Sequence, residues 1–198
     1  MKRKMPHLDP IEKQIVFKIV YFGPGMSGKT TNLLYIHKVL TDKYKGEMLV
    51  LDTEKERTLF FDFFPVSLGT VQGYSLKFHL YTIPGQIFYE ASRRIILQGA
   101  DGVVFVADSA ADRLDDNTEM FRLMNENLRS YDIDPSSYPV VLQYNKRDCN
   151  PRLEIGTIER ELGLDNIPVT ESIAIEGRGV MKTLQVVSKE IIKRFQIS

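Results

Sequence analysis

Residues 23–30 read Gly23-Pro24-Gly25-Met26-Ser27-Gly28-Lys29-Thr30 and match G-x-x-x-x-G-K-[ST] at every fixed position. The octet lies between an apolar run, Ile15 to Phe22, and a helix-forming run, Lys29 to Thr41. A strand that enters a helix through a glycine loop turns the unpaired N–H groups of the helix's first turn toward one point, which suits a phosphate. Gly23, Gly25, Met26, Ser27, Gly28, Lys29, Thr30 and Thr31 form the expected phosphate-binding set. Lys29 would reach the β and γ oxygens, and the Thr30 hydroxyl would ligate Mg²⁺. The alternative is a chance glycine turn, which the strand-then-helix setting makes poor.

The rest of the chain repeats that alternation. Short apolar runs predict strands near Ile15 to Phe22, Glu47 to Leu51, Leu76 to Ile83, Gly102 to Ala107, Pro139 to Tyr144 and Pro168 to Thr170. Helices are expected at Lys29 to Thr41, Tyr89 to Gln98, Asp116 to Tyr131, Ile155 to Leu162 and Gly179 to Phe195, the last with Leu184, Val187, Ile191 and Phe195 on one face. Continuous apolar strands fit a sheet covered on both faces, so the fold class is α/β with a mostly parallel sheet of six or seven strands. At 198 residues the chain fits one domain, residues 15–198. Residues 1–14 are polar, contain Pro6 and Pro10, and are expected as a tail, with a basic docking arm as the alternative.

Composition removes several classes of function. Lys plus Arg balance Asp plus Glu at a formal net charge of +0, which argues against nucleic-acid binding by bulk charge. No apolar run is long enough for a membrane helix and no signal-peptide core follows the basic start, so a cytoplasmic protein is expected. The single cysteine, Cys149, cannot close an internal disulfide, and His7, His37 and His79 are too scattered for a local metal motif. Lys2 follows Met1 and the chain ends Arg194-Phe195-Gln196-Ile197-Ser198, so neither a myristoylation nor a prenylation signal is expected.

At the end of the fifth predicted strand stands Asn145-Lys146-Arg147-Asp148, which fits the guanine signature N-K-x-D. The Asp148 carboxylate can accept two hydrogen bonds from guanine N1–H and the 2-amino group, while the Lys146 stem lies along the base. Adenine offers neither donor and would leave a desolvated carboxylate unpaired. A charged loop at a strand end is the alternative, weakened by the phosphate loop upstream. Ser172-Ile173-Ala174 occupies the place of a further base-binding loop, where the Ala174 N–H could meet the guanine 6-oxo group; an ordinary loop after a strand reads equally well. The expected guanine-binding set is Asn145, Lys146, Asp148, Ser172, Ile173 and Ala174.

Thr82-Ile83-Pro84-Gly85-Gln86 resembles the second switch of Ras-like small GTPases, with a threonine where D-x-x-G would have its aspartate. With Arg57-Thr58-Leu59-Phe60-Phe61-Asp62-Phe63, Phe78-His79-Leu80-Tyr81-Thr82 and Gln143-Tyr144-Asn145-Lys146-Arg147-Asp148, the chain over about residues 15 to 195 resembles the MglA family of bacterial Ras-like GTPases. The resemblance implies a Ras-like P-loop fold and a polarity or gliding-motility switch that is active with GTP. A Roadblock-domain GTPase-activating partner like MglB would turn it off, and partners, not a lipid anchor, would recruit it to a cell pole or the inner membrane surface.

The same resemblance assigns roles. Gly85 would give its N–H to the γ-phosphate and Gln86 would orient the attacking water. Thr58 would close over Mg²⁺ beside Thr30, and Arg57 is either a solvated charge or a self-supplied arginine finger, with the resemblance favouring the finger. Thr82 cannot supply an aspartate's charge, so Asp62 is the candidate substitute through a water, or else a surface charge. The phenylalanines around Asp62 form either a strand buried in the sheet or one whose position changes with the nucleotide and docks a partner. His79 reads as a core or edge histidine. The resulting expectation is hydrolysis of GTP to GDP with Mg²⁺; the rival is a GTP-dependent scaffold with negligible hydrolysis, against which Gln86 and Arg57 argue.

Overall fold

In the run before the glycine loop, residues alternate between two cores: Phe17, Ile19 and Tyr21 enter one, Val20 and Phe22 the other. Such a strand needs cover on both faces, and the chain supplies it. A computed structural model describes residues 7–9, 12–40, 49–50, 62–71, 73–83 and 90–196. In chain order these form β1 (His7–Asp9), β2 (Gln14–Phe22), α1 (Lys29–Val39), β3 (Leu49–Val50), β4 (Asp62–Val71), β5 (Tyr74–Thr82), α2 (Glu90–Leu97), β6 (Gly102–Asp108), α3 (Leu114–Arg129), β7 (Val140–Asn145), α4 (Thr157–Leu162), β8 (Val169–Glu171) and α5 (Val180–Gln196).

The sheet runs β3-β4-β5-β2-β6-β7-β8, with β1 paired to β2. Its centre, β5-β2-β6-β7-β8, is parallel, and the β3–β4 and β4–β5 pairs are antiparallel. The α/β class and mostly parallel sheet match expectation. Among the described residues the count is eight, above the six or seven expected: β2, β3, β5, β6, β7 and β8 answer the six listed runs, β4 answers the phenylalanine strand around Asp62, and β1 is the addition. β1 falls in the stretch expected as a tail. The reason is geometric: β6 first meets β2 at Ile19 opposite Gly102, so the opening residues of β2 have an open edge. His7, Leu8 and Asp9 fill it opposite Val16, Ile15 and Gln14.

α1 and α5 cover one face, where Leu33, Ile36, Leu184, Val187 and Ile191 pack on Phe17, Ile19, Val104 and Val141, with Phe195 at the edge. The α5 stripe is the predicted one. Ile96 of α2, Met120, Phe121, Met124 and Leu128 of α3 and Ile158 of α4 pack on Val20, Phe22, Phe105 and Leu142 across the other face. Phe105 and Phe121 meet edge-on with centroids 4.9 Å apart, a geometry that contributes about 0.5–1.5 kcal/mol beyond area burial. Among the described residues no helix is long and apolar enough to cross a membrane. The loops that leave the carboxyl ends of β2, β6, β7 and β8 gather at one edge of the sheet, where open α/β sheets place their ligands.

Candidate functional site

The loop between β2 and α1 has the curl that its sequence predicts. Gly28 stands at the N-cap of α1 with φ 98°, in the left-handed region, and Gly23 has φ 143°. A Cβ on Gly23 would come within 2.3 Å of the Val106 carbonyl oxygen, and one on Gly28 within 2.2 Å of Asn145 Nδ2. Both positions therefore exclude a side chain, as a loop packed this closely on its neighbours requires. Met26 at the tip holds φ 63° with a side chain 88% exposed, a left-handed conformation that costs an ordinary residue about 1–2 kcal/mol.

Lys29 begins the helix and lies buried across the loop, its Nζ donating to the carbonyls of Gly23 at 3.0 Å and Pro24 at 2.7 Å. The Ser27 hydroxyl is buried without a hydrogen-bond partner. α1 has neither a side-chain cap nor an acidic residue in its first turn, so the helix carries no neutralising group of its own at its positive end. Thr30 is exposed and Thr31 half-buried at that same end. A buried cation, uncapped N–H groups and an orphaned hydroxyl around one glycine loop fit a polyphosphate. Among the described residues no three His, Cys, Asp or Glu side chains are grouped to hold a metal; the Thr30 hydroxyl, exposed at the helix end, is an oxygen donor of the type that suits Mg²⁺ together with phosphate oxygens.

The two loops expected to hold the base are adjacent. Asn145, nearly buried at the end of β7, donates from Nδ2 to the Ser27 carbonyl at 2.7 Å. Its Oδ1 accepts from Ser172 Oγ and from the Ala174 N–H, each at 2.9 Å. The Ala174 N–H, read in the sequence as a donor to a guanine oxygen, thus serves Asn145. Arg147 adds a backbone bond to the Ser172 carbonyl at 3.1 Å, and its guanidinium meets Glu171 at 3.0 Å and the Leu153 carbonyl at 2.6 Å. Asp148 is exposed on this rim. Ile173 is buried, bridged to Arg178. Beside Asp148, Cys149 has its thiol pushed up by partial burial and then by the carboxylates of Asp108 and Asp148.

Two residues that sequence reasoning passed over tie these loops together. Asp108 ends β6 with its side chain 4% exposed, and its Oδ2 accepts from Lys146 Nζ at 2.7 Å and lies 3.8 Å from Arg113 Nε. Asn117 holds the Asp108 backbone in turn, accepting its N–H at 2.9 Å and donating to its carbonyl at 2.8 Å. Arg113 closes a short 3-10 turn, Ala111–Arg113, and donates from Nη2 to the Gly25 carbonyl at 3.1 Å. A buried polar set links the same elements below the surface. Gln143 Nε2 reaches Asn32 Oδ1 at 3.0 Å and Thr183 Oγ1 at 2.9 Å, Thr170 meets Thr183 at 2.8 Å, and Asn32 returns to the Gly28 carbonyl at 2.9 Å.

The switch residues are less completely placed. Thr82 is buried at the end of β5, opposite Tyr21 of β2. β4 pairs Phe63 with Tyr81, a register that puts the Asp62 backbone beside the end of β5. Phe63 and Phe64 belong to β4, and His79 lies in β5 opposite Lys18 and Pro65. Arg57, Thr58, Phe60, Phe61, Gly85 and Gln86 lie outside the described residues.

Comparison with known proteins agrees with this arrangement. The model of the ADP-ribosylation factor family matches residues 7–191. The mutual gliding-motility protein MglA of Myxococcus xanthus is 45% identical over 95% of this chain and 96% of its own. ADP-ribosylation factor-like protein 6 of Caenorhabditis elegans is 27% identical over 88% of this chain and 86% of its own, and human ADP-ribosylation factor-like protein 4A is 28% identical over 90% and 84%. With the strand order, the glycine loop and the motif at the end of β7 already in place, the chain belongs to the ADP-ribosylation factor family as an MglA-like small GTPase.

Proposed function

We propose that the protein is a guanine-nucleotide switch that hydrolyses GTP and controls gliding motility and cell polarity. The observation that carries this reading is the single cluster in which the glycine loop, Lys29 and the N-K-x-D residues are joined by Asn145. The relative named for gliding motility, similar over nearly its whole length, supports the cellular role. Guanine is the favoured base because Asp148 is exposed at the rim, where a base can reach its carboxylate.

The phosphates lie in the curl of residues 23–28, with Lys29 and the first N–H groups of α1 facing their charge. Mg²⁺, which Thr30 and Thr58 would help to hold, would supply neutralisation of phosphate charge when bound. Hydrolysis then asks little covalent help of the protein, whose part is to position and to stabilise charge. Gln86 orients water, Gly85 binds the γ-phosphate, Thr58 closes on the metal side and Arg57 stabilises the transition state. An arginine finger contributes about three to five decades in rate, equivalent to about 4–7 kcal/mol of barrier. Were Arg57 always engaged, the GTP state would decay too fast to carry a signal, so the first switch reaches its competent position rarely until a Roadblock-domain partner stabilises it.

Single-turnover phosphate release with and without a Roadblock-domain protein tests this. The parent should be slow alone and fast with the partner, and Arg57→Ala should bind GTP and stay nearly inert at saturating partner. Robust stimulation of Arg57→Ala would point to an arginine supplied from outside, and no release from the parent under any condition would favour the scaffold reading.

A further inference from the structure

We propose that Arg113 is a positioning residue that holds the phosphate loop in register with the base loop through Asp108, a carboxylate that serves both. The proposal rests on the guanine-nucleotide reading of the site and assigns part of its affinity to residues outside the known motifs. Each guanidinium nitrogen has a different duty. Nη2 donates to the Gly25 carbonyl at 3.1 Å, Nη1 pairs with Asp116, and Nε faces Asp108 Oδ2 from 3.8 Å. That Nε is buried and has no hydrogen bond of its own, because the near side of Oδ2 is held by Lys146 Nζ at 2.7 Å.

The bond to Gly25 has a directional consequence. In a planar trans peptide the C=O and the following N–H point opposite ways, so drawing the Gly25 carbonyl toward Arg113 turns the Met26 N–H away from it. That N–H belongs to the loop expected to wrap the phosphates, and Met26 sits in the left-handed conformation at φ 63°, which needs support from its surroundings. Arg113 supplies that support from β6's end of the sheet. On the other side, Lys146 is the residue whose stem would lie along the base. A carboxylate 4% exposed tolerates the loss of one of two cations better than the loss of both, since a buried charge left without a partner is strongly destabilising. The two loops are thus energetically joined at Asp108. A lysine at position 113 lacks the planar fork that meets Gly25, Asp116 and Asp108 in three directions.

Stopped-flow release of a fluorescent GDP in the presence of Mg²⁺ tests the proposal. Arg113→Gln should release GDP about tenfold faster or more, the loss of one charge-assisted hydrogen bond. Arg113→Lys should fall between Gln and the parent. Arg113→Gln combined with Lys146→Ala should exceed the product of the two single effects, a coupling that a merely local structural role would not produce. Should Arg113→Gln fail to fold, Asp116→Asn removes the outer partner of the guanidinium from a half-exposed position and should accelerate release about two- to threefold, a weak surface pair's worth. Release at the parent's rate in Arg113→Gln, or in Asp116→Asn where that variant stands in, overturns the proposal, as does a purely multiplicative double variant. A parent that binds no guanine nucleotide overturns both this proposal and the reading beneath it, which separates the two failures.

Discussion

Asn145 joins Ser27 across 118 residues of sequence, its Nδ2 donating to the Ser27 carbonyl at 2.7 Å. The bond makes the phosphate loop and the base loop one mechanical unit. The same side chain satisfies Ser172 Oγ and the Ala174 N–H, so three groups in two loops depend on one amide.

Asn145→Ala should therefore weaken both fold and site. Three buried groups lose their partner, at about 1–3 kcal/mol for a buried group left unsatisfied, and partial relaxation brings the expected loss of unfolding free energy to about 2–4 kcal/mol. Urea denaturation measures it. GDP release should accelerate in parallel, and a variant within about 0.5 kcal/mol of the parent, the range of a neutral surface change, would contradict the account.

Asp148→Asn should exchange one base for another. The amide can donate to a 2-oxo group where the carboxylate accepted from a 2-amino group, so the variant should lose GTP affinity and gain xanthosine nucleotides. Competition titrations of both nucleotides check this, and unchanged GTP affinity would remove Asp148 from the base site.

Asp62 is the candidate for the charge that Thr82 lacks. Its backbone starts β4 next to the end of β5, close to the buried Thr82. Asp62→Ala should raise the Mg²⁺ concentration needed to hold a GTP analogue by several-fold, read by magnesium titration, whereas equal apparent affinities would count against the substitution.

Cys149 should react slowly. Burial first, and the carboxylates of Asp108 and Asp148 after it, disfavour the thiolate, and the thiolate is the nucleophile. Its modification by a disulfide reagent should stay slow through neutral pH and reach half its maximal rate at a higher pH than a free cysteine does. Asp148→Asn removes one of those carboxylates, so it should shift the profile toward lower pH.

What could be read in the residues alone depended on how locally each feature is encoded. The phosphate loop and Asn145-Lys146-Arg147-Asp148 carry fixed spacings, and the α5 stripe of Leu184, Val187 and Ile191 follows a helical period, so all three were visible. β1 was not, because three residues in a polar stretch carry no periodicity; the open edge of β2 pairs them. Arg113 and Asp108 were hidden for a different reason. Arg113 meets Gly25 over 88 residues, and no spacing rule foretells a guanidinium placed by the turn after β6. Gln143, Asn32 and Thr183 escaped in the same way, each an ordinary polar residue until the sheet and two helices bring them together.

On the proposed function, the joined loops read guanine and bind its phosphates. Displacement of a fluorescent GDP by GTP and by ATP, in the presence of Mg²⁺, is the test. Sites that depend on hydrogen bonds to the ligand's polar groups reject an analogue lacking them by about four to five decades. GTP should displace the probe stoichiometrically while ATP fails at roughly ten-thousand-fold higher concentration; displacement by ATP and GTP at comparable concentrations would contradict the account.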